Sequence, residues 1–226
     1  MSSFVNSGTS KAKERLAESA LYALLRRLSP ALGHHVLGAL QPLSIISLLL
    51  DNRLQLPNPE LALLARNISQ LQTSIKDATT SFISLMTWIA PNDNEMVRVA
   101  AGVQEATALV ATELSNKGFT IANQIGDIEL ELERCLTRTV FLIALMTLID
   151  ASKAPAIVVL SAHCEHNELE ITISIQPVKG EPPPSYHQTY RYLEWEDVQA
   201  LAEIKAVKIT RTSQSAKLRF PLAAIN

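Results

Sequence analysis

Glycine is scarce in this chain: seven in 226 residues, at Gly8, Gly33, Gly38, Gly102, Gly118, Gly126 and Gly180. No P-loop, dinucleotide fingerprint or other glycine-rich phosphate cradle is present. Cysteine is scarcer still. Cys135 and Cys164 make no disulfide framework and fit small buried residues in a reducing compartment. No charge of one sign accumulates: 20 Lys and Arg stand against 22 Asp and Glu, without a long run of either. That removes the electrostatic basis for a nucleic acid or an anionic membrane as partner. The longest apolar runs, 139–149 and 43–50, are too short to cross a bilayer. The N-terminus, MSSFVNSGTSKAKERLAE, is polar and lacks the apolar region of a signal peptide. Together these predict a soluble, cytoplasmic protein with no membrane partner. Ser, Asp and His occur in no nucleophile-elbow or zinc-protease pattern, so a hydrolase or dehydrogenase has no residues to stand on.

What is present is a core. Apolar residues make up 47% of the chain, enough for one large domain or two small ones. Residues 11–51 read as helix, with Leu21, Leu24, Leu25, Leu28, Leu32, Val36, Leu40, Leu43 and Leu50 recurring at steps of three and four. Pro30 predicts a kink or restart, with Ser29 as a possible cap, and Pro42 a second bend. A turn at 52–59 (NRLQLPNP) leads to a helix over 60–90. Its apolar positions Leu61, Leu64, Ile68, Leu71, Ile75, Ala78, Phe82, Leu85 and Ile89 form a coiled-coil-like seam. Two long amphipathic helices joined by a short turn make an antiparallel hairpin. One hairpin cannot bury both seams, so a homodimeric four-helix bundle is expected.

After a boundary at 91–94 (PNDN) the pattern changes. Strand candidates are 97–100, 119–125, 156–161, 169–175, 207–212 and 216–221; helix candidates are 102–117, 127–151 and 194–204. The run 156–161 and the alternating 169–175 read as an antiparallel pair joined around 163–167, and 177–188 as a proline-rich loop. The division is thus a helical hairpin over 11–90 and an α/β sandwich over 91–226, and the fold class is α+β.

The chemistry centres on residues 32–51, LGHHVLGALQPLSIISLLLD. An imidazole nitrogen is a nucleophile near neutral pH and can carry a phosphoryl group. On a helix, His34 shares a face with Arg27, Pro30, Ala31, Leu37, Gly38 and Gln41, mostly small or polar. His35 shares one with Leu28, Ala31, Leu32, Ala39 and Pro42, at the edge of the core stripe. His34 is therefore the exposed member of the pair. Gly38 leaves room beside it for a partner surface, and Arg27 could compensate a phosphoryl charge. Taken alone, an exposed histidine is more often only a surface residue.

The sequence His34-His35-Val36-Leu37-Gly38-Ala39-Leu40-Gln41-Pro42-Leu43 resembles the phosphoacceptor helix of bacterial sensor histidine kinases. There a His is followed by an acidic residue and, further on, by Pro-Leu. In the commonest subfamily Pro comes five residues after the His; here Pro42 comes eight after His34. The resemblance makes His34 the phosphoacceptor, with His35 second choice, and places Arg27, Gly38, Gln41 and Pro42 on the partner-binding face. The acidic residue beside the acceptor, the base of the kinase reaction, is replaced by His35 or Val36.

The second half is similar to the kinase ATP-binding domain in the order of its elements. The helix that bears the family's magnesium-binding Asn reads FLIALMTLIDA over 141–151, with no Asn. Where the family has its first glycine box, residues 176–180 read QPVKG, followed by Glu181-Pro182-Pro183-Pro184. The ending Leu218-Arg219-Phe220-Pro221-Leu222 is similar to the family's last strand. The resemblance therefore implies a histidine kinase body without its nucleotide site, as in dimeric histidine phosphotransferases that relay phosphate between receiver domains, with no cofactor of its own. Its implied partners are response-regulator receiver domains, docking around 36–50, with a sensor kinase as a further candidate. A non-catalytic pseudokinase dimer that binds and regulates a kinase or response regulator is the alternative.

Two further groups are weighed. His163-Cys164-Glu165-His166 holds metal-capable side chains, but a zinc site needs a further convergent ligand, and a solvated strand turn is the better reading. Tyr186, His187, Tyr190, Tyr192 and Trp195 either mark a partner surface or pack the lost nucleotide pocket closed; the second is favoured.

Overall fold

The computed structural model describes residues 3–89, 95–126, 128–165, 168–181 and 191–221. The predicted boundary at 91–94, the aromatic positions Tyr186, His187 and Tyr190, and His166 lie outside them. The chain divides into two compact units, Met1–Leu28 with Asn92–Asn226, and Ser29–Pro91. The predicted division gave residues 11–28 to the hairpin; here they belong with the α/β unit.

Helix α1 runs unbroken over Ser3–Leu54, with Pro30 and Pro42 inside it. The predicted restart at Ser29 does not occur. A proline deletes one backbone hydrogen bond and crowds the preceding turn, and a long helix absorbs that loss through the turns on either side. Helix α2 spans Leu61–Ile89. In the smaller unit, the end of α1 closes on Gln55 N–H to Asp51 C=O and Leu56 N–H to Arg53 C=O, and α2 begins five residues later. Near this turn Arg53 donates to the Oδ1 of buried Asn67 at 3.1 Å. The α2 seam splits into two rows. Leu64 and Ala78 are buried and Leu71 and Leu85 half-buried. Leu61, Ile68, Ile75, Phe82 and Ile89, spaced by sevens, stay between 39% and 77% exposed.

In the larger unit, β1 (Met96–Arg98) leads directly into α3 (Val99–Asn116), and β2 is Phe119–Asn123. Next come β3 (Glu131–Glu133) and helix α4 over 134–150, whose second segment, Thr137–Phe141, is a π-helical turn. Strand β4 (Ala156–Glu165), β5 (Glu168–Pro177), α5 (Trp195–Ile204), β6 (Lys208–Arg211) and β7 (Ser215–Pro221) complete it. The five-stranded sheet has the order β2-β4-β5-β7-β6. Strand β2 lies parallel to β4; the other neighbours are antiparallel. The fold is α+β, as expected.

One sheet face is the core. Val158, Leu160, Leu169, Ile171, Ile173, Ala216, Leu218 and Phe220 are buried on it, and every residue of α4 from Val140 to Ile149 is buried. At ~25 cal/mol per Å² of apolar area removed from water, this face supplies the main driving force of the unit. Three local expectations are corrected. The helix foreseen from 127 begins at Arg134, because Glu131–Glu133 pairs with β1 instead. The strand foreseen at 97–100 turns helical at Val99, where its N–H meets Leu130 C=O. The β4–β5 ladder continues to Glu165 and Glu168, so His163, Cys164 and Glu165 are strand residues and not a connecting loop.

Candidate functional site

His34 and His35 both sit on the part of α1 that belongs to the smaller unit, and both are exposed. For His35 this differs from the expected edge of a core stripe. A Cβ added at Gly38 would meet no atom within 4 Å, so the surface one turn beyond His34 is open. Gln41 and Pro42 are exposed as well. Leu37, five residues before Pro42, is 68% exposed, and Ile45, Leu48 and Leu49 continue the exposed apolar surface toward the turn. His34, Leu37, Gln41, Ile45 and Leu48 recur at steps of three and four, which gathers the imidazole, an amide and three large apolar side chains on one stripe. By length and composition, the Lys11–Leu54 stretch of α1 is also long and apolar enough to cross a membrane.

Arg27 belongs to the larger unit. Its side chain is 1% exposed and lies between two carboxylates of the larger unit. Its Nη2 donates to Glu113 Oε1 and to Asp150 Oδ1, each at 2.9 Å, and its Nε donates to Glu113 at 3.1 Å. Lys117 Nζ adds bonds to Asp150 at 2.9 Å and Glu113 at 3.1 Å. Burial disfavours the charged guanidinium, but Asp150 and Glu113 outweigh it and hold its pKa above the ordinary value. The expectation that Arg27 faces a phosphoryl group is therefore corrected: its donors are spent on ion pairs. Sequence spacing gave its position on α1 relative to His34, but could not show that Glu113 and Asp150 reach it.

In the larger unit, the middle of helix α4 is packed into the core. Phe141, Leu142, Ile143, Ala144 and Leu145 are fully buried, and Thr147 returns its hydroxyl to Ile143 C=O at 2.7 Å. A cleft of about 470 Å³ remains, lined by Thr147, Leu148, Ala151, Trp195, Arg211, Thr212 and Ser213. Trp195, one of the aromatics singled out in the sequence, lies under the Arg211 guanidinium at 5.0 Å from its ring centroid. Tyr192 is exposed.

The metal-capable run is resolved by register. His163 and Glu165 lie on the sheet face opposite the core, with His163 opposite Glu170. The Glu170 carboxylate accepts from Lys217 at 2.8 Å and Arg219 at 2.7 Å, and His163 Nε2 lies 3.7 Å away. The hydrogen bonds from Lys217 and Arg219 lower the pKa of Glu170 to about 2. Among the described residues, no group of three or more His, Cys, Asp or Glu is placed to hold a metal ion.

No protein-family model and no curated protein matches the chain. Among solved structures, it is similar to the Acinetobacter baumannii histidine kinase AdeS at 11% identity, over 78% of this chain and 95% of that one, with a TM-score of 0.46. A histidine kinase of Burkholderia phymatum matches at 14% identity, over 86% and 96%, with a TM-score of 0.42. A blue-light activated histidine kinase of Erythrobacter litoralis matches at 12% identity, over 82% and 64%, with a TM-score of 0.45.

Proposed function

We propose that this chain is a histidine phosphotransferase of a two-component phosphorelay. It accepts a phosphoryl group from one receiver-domain aspartate on His34 and passes it to another, without binding ATP. The observation that carries the reading is the exposed imidazole of His34 at the head of an open apolar stripe. An imidazole nitrogen attacks the phosphorus of an aspartyl phosphate, the bond to the carboxylate oxygen breaks, and the carboxylate leaves. The second transfer is the reverse on a new aspartate. The protein supplies position and a docking surface around Gly38, Gln41 and Pro42, and any magnesium belongs to the receiver.

What argues against a magnesium nucleotide is the composition of helix α4 in the larger unit. From Val140 to Ile149 helix α4 carries no carboxamide or carboxylate, and its side chains are committed to the core. The heptad row Leu61, Ile68, Ile75, Phe82 and Ile89 fits a second hairpin, giving a homodimeric four-helix bundle.

A second reading is a non-catalytic dimer that binds a kinase or response regulator. Two observations favour it: Arg27 is withdrawn into ion pairs, and an exposed Leu37 stands five residues before Pro42. Phosphorylated receivers from the same organism separate the two. Acid-labile label is expected on the wild type and, in His34→Ala, a loss of about a hundredfold or more. Label retained in His34→Ala but lost in His35→Ala moves the acceptor by one residue. Receiver binding without any label leaves only the second reading.

A further inference from the structure

We propose that residues 11–28 form a latched strap of the α/β unit, held by Arg27 between Glu113 and Asp150 and hinged at Pro30, which undocks while the rest of that unit stays folded. This is independent of the phosphotransfer reading.

The strap's docking face is thin. Ala17, Ala20 and Ala23 are buried along it; the large apolar side chains, buried Leu24 and Leu28 and half-buried Leu21 and Leu25, all lie in its last turns. Alanine methyl groups allow close approach but bring little hydrophobic free energy, so the docking energy concentrates at the last turns. There Arg27 meets the ends of two helices. Glu113 lies in the last turn of α3 and Asp150 is the final residue of α4. Helix C-termini carry partial negative charge, which adds to the two carboxylates. With its side chain 1% exposed, the docked Arg27 guanidinium has only these carboxylates to compensate its charge. Such a contact has two stable arrangements, fully made or fully undone, and few between.

The hinge lies next to the latch. Pro30 has no N–H to give the preceding turn, so α1 lacks one link of its hydrogen-bond ladder there. The division between the two compact units falls at the same place, after Leu28. The remaining part of the larger unit has its own core in the sheet and α4, and Lys117 stays beside Glu113 and Asp150 to compensate them when Arg27 departs.

Amide hydrogen exchange on the full chain tests this, with Arg27→Gln beside the wild type. Protection across 11–28 is expected to fall about a hundredfold or more, while that of α4, β4 and β5 changes less than about threefold. Asp150→Asn, which removes the latch from the other side, is expected to give the same pattern and serves where Arg27→Gln does not fold. Unchanged protection of 11–28 overturns the latch. Loss spread equally over α4, β4 and β5, or failure of both variants to fold, overturns the separable strap.

Discussion

Gly102 shows how one residue sets a helix position. A Cβ there would come within 2.9 Å of Val97 Cγ1 and 3.0 Å of Thr137 Cγ2, both buried. The missing side chain lets α3 lie close to β1 and to the π-helical turn of α4. Gly102→Ala is expected to cost about 1–3 kcal/mol by overpacking, read as a lower urea midpoint at unchanged slope. From sequence the glycine is visible but its reason is not, since Val97 and Thr137 meet it only in the fold. Arg27 carries the same lesson. Its spacing from His34 placed it on a helix face, and its true partners lie 86 and 123 residues away in the chain.

Among the elements, the outer face of the sheet is an ionic row. Register aligns His163 with Glu170, Glu170 with Arg219, and Arg219 with Lys208 across four strands. Because the folded-state pKa of Glu170 is about 2, below its ordinary 4.5, the stability it contributes is present above about pH 4.5 and is lost as pH falls through about 2. Its cationic partners are about half exposed, which holds the contribution to about 1 kcal/mol. Glu170→Gln is expected to lower stability by that amount at pH 6, with the difference vanishing toward pH 2 in urea titrations run across this range. The alternation of 169–175 made β5 legible, because a half-buried strand repeats every two residues. The extension to Glu165 was not, since polar residues at a strand end look like a turn until their partners are known. Likewise the short strand Glu131–Glu133 carries no period long enough to read.

For the whole molecule, the exposed heptad row predicts association. A protomer of 24.8 kDa is expected to sediment at twice that mass, and Ile75→Asp, at the middle of the row, to shift the equilibrium toward the single chain by about a hundredfold. The same sevenfold spacing was legible in the sequence as one seam. Which half of it faces inward and which outward was not. Periodicity fixes the angle between two rows on a helix, but only the neighbouring helix decides which row it covers.

The sequence by itself determined the α+β class, the long N-terminal helical region and the main strands, because these depend on local period and residue chemistry. Tertiary structure alone decided that α1 runs through both prolines and that residues 11–28 pack with the α/β unit. It also committed Arg27 to Glu113 and Asp150 and placed His163 and Glu165 in a ladder. Each of these turns on partners distant in the chain, whose proximity is a property of the folded state and leaves no mark in local spacing.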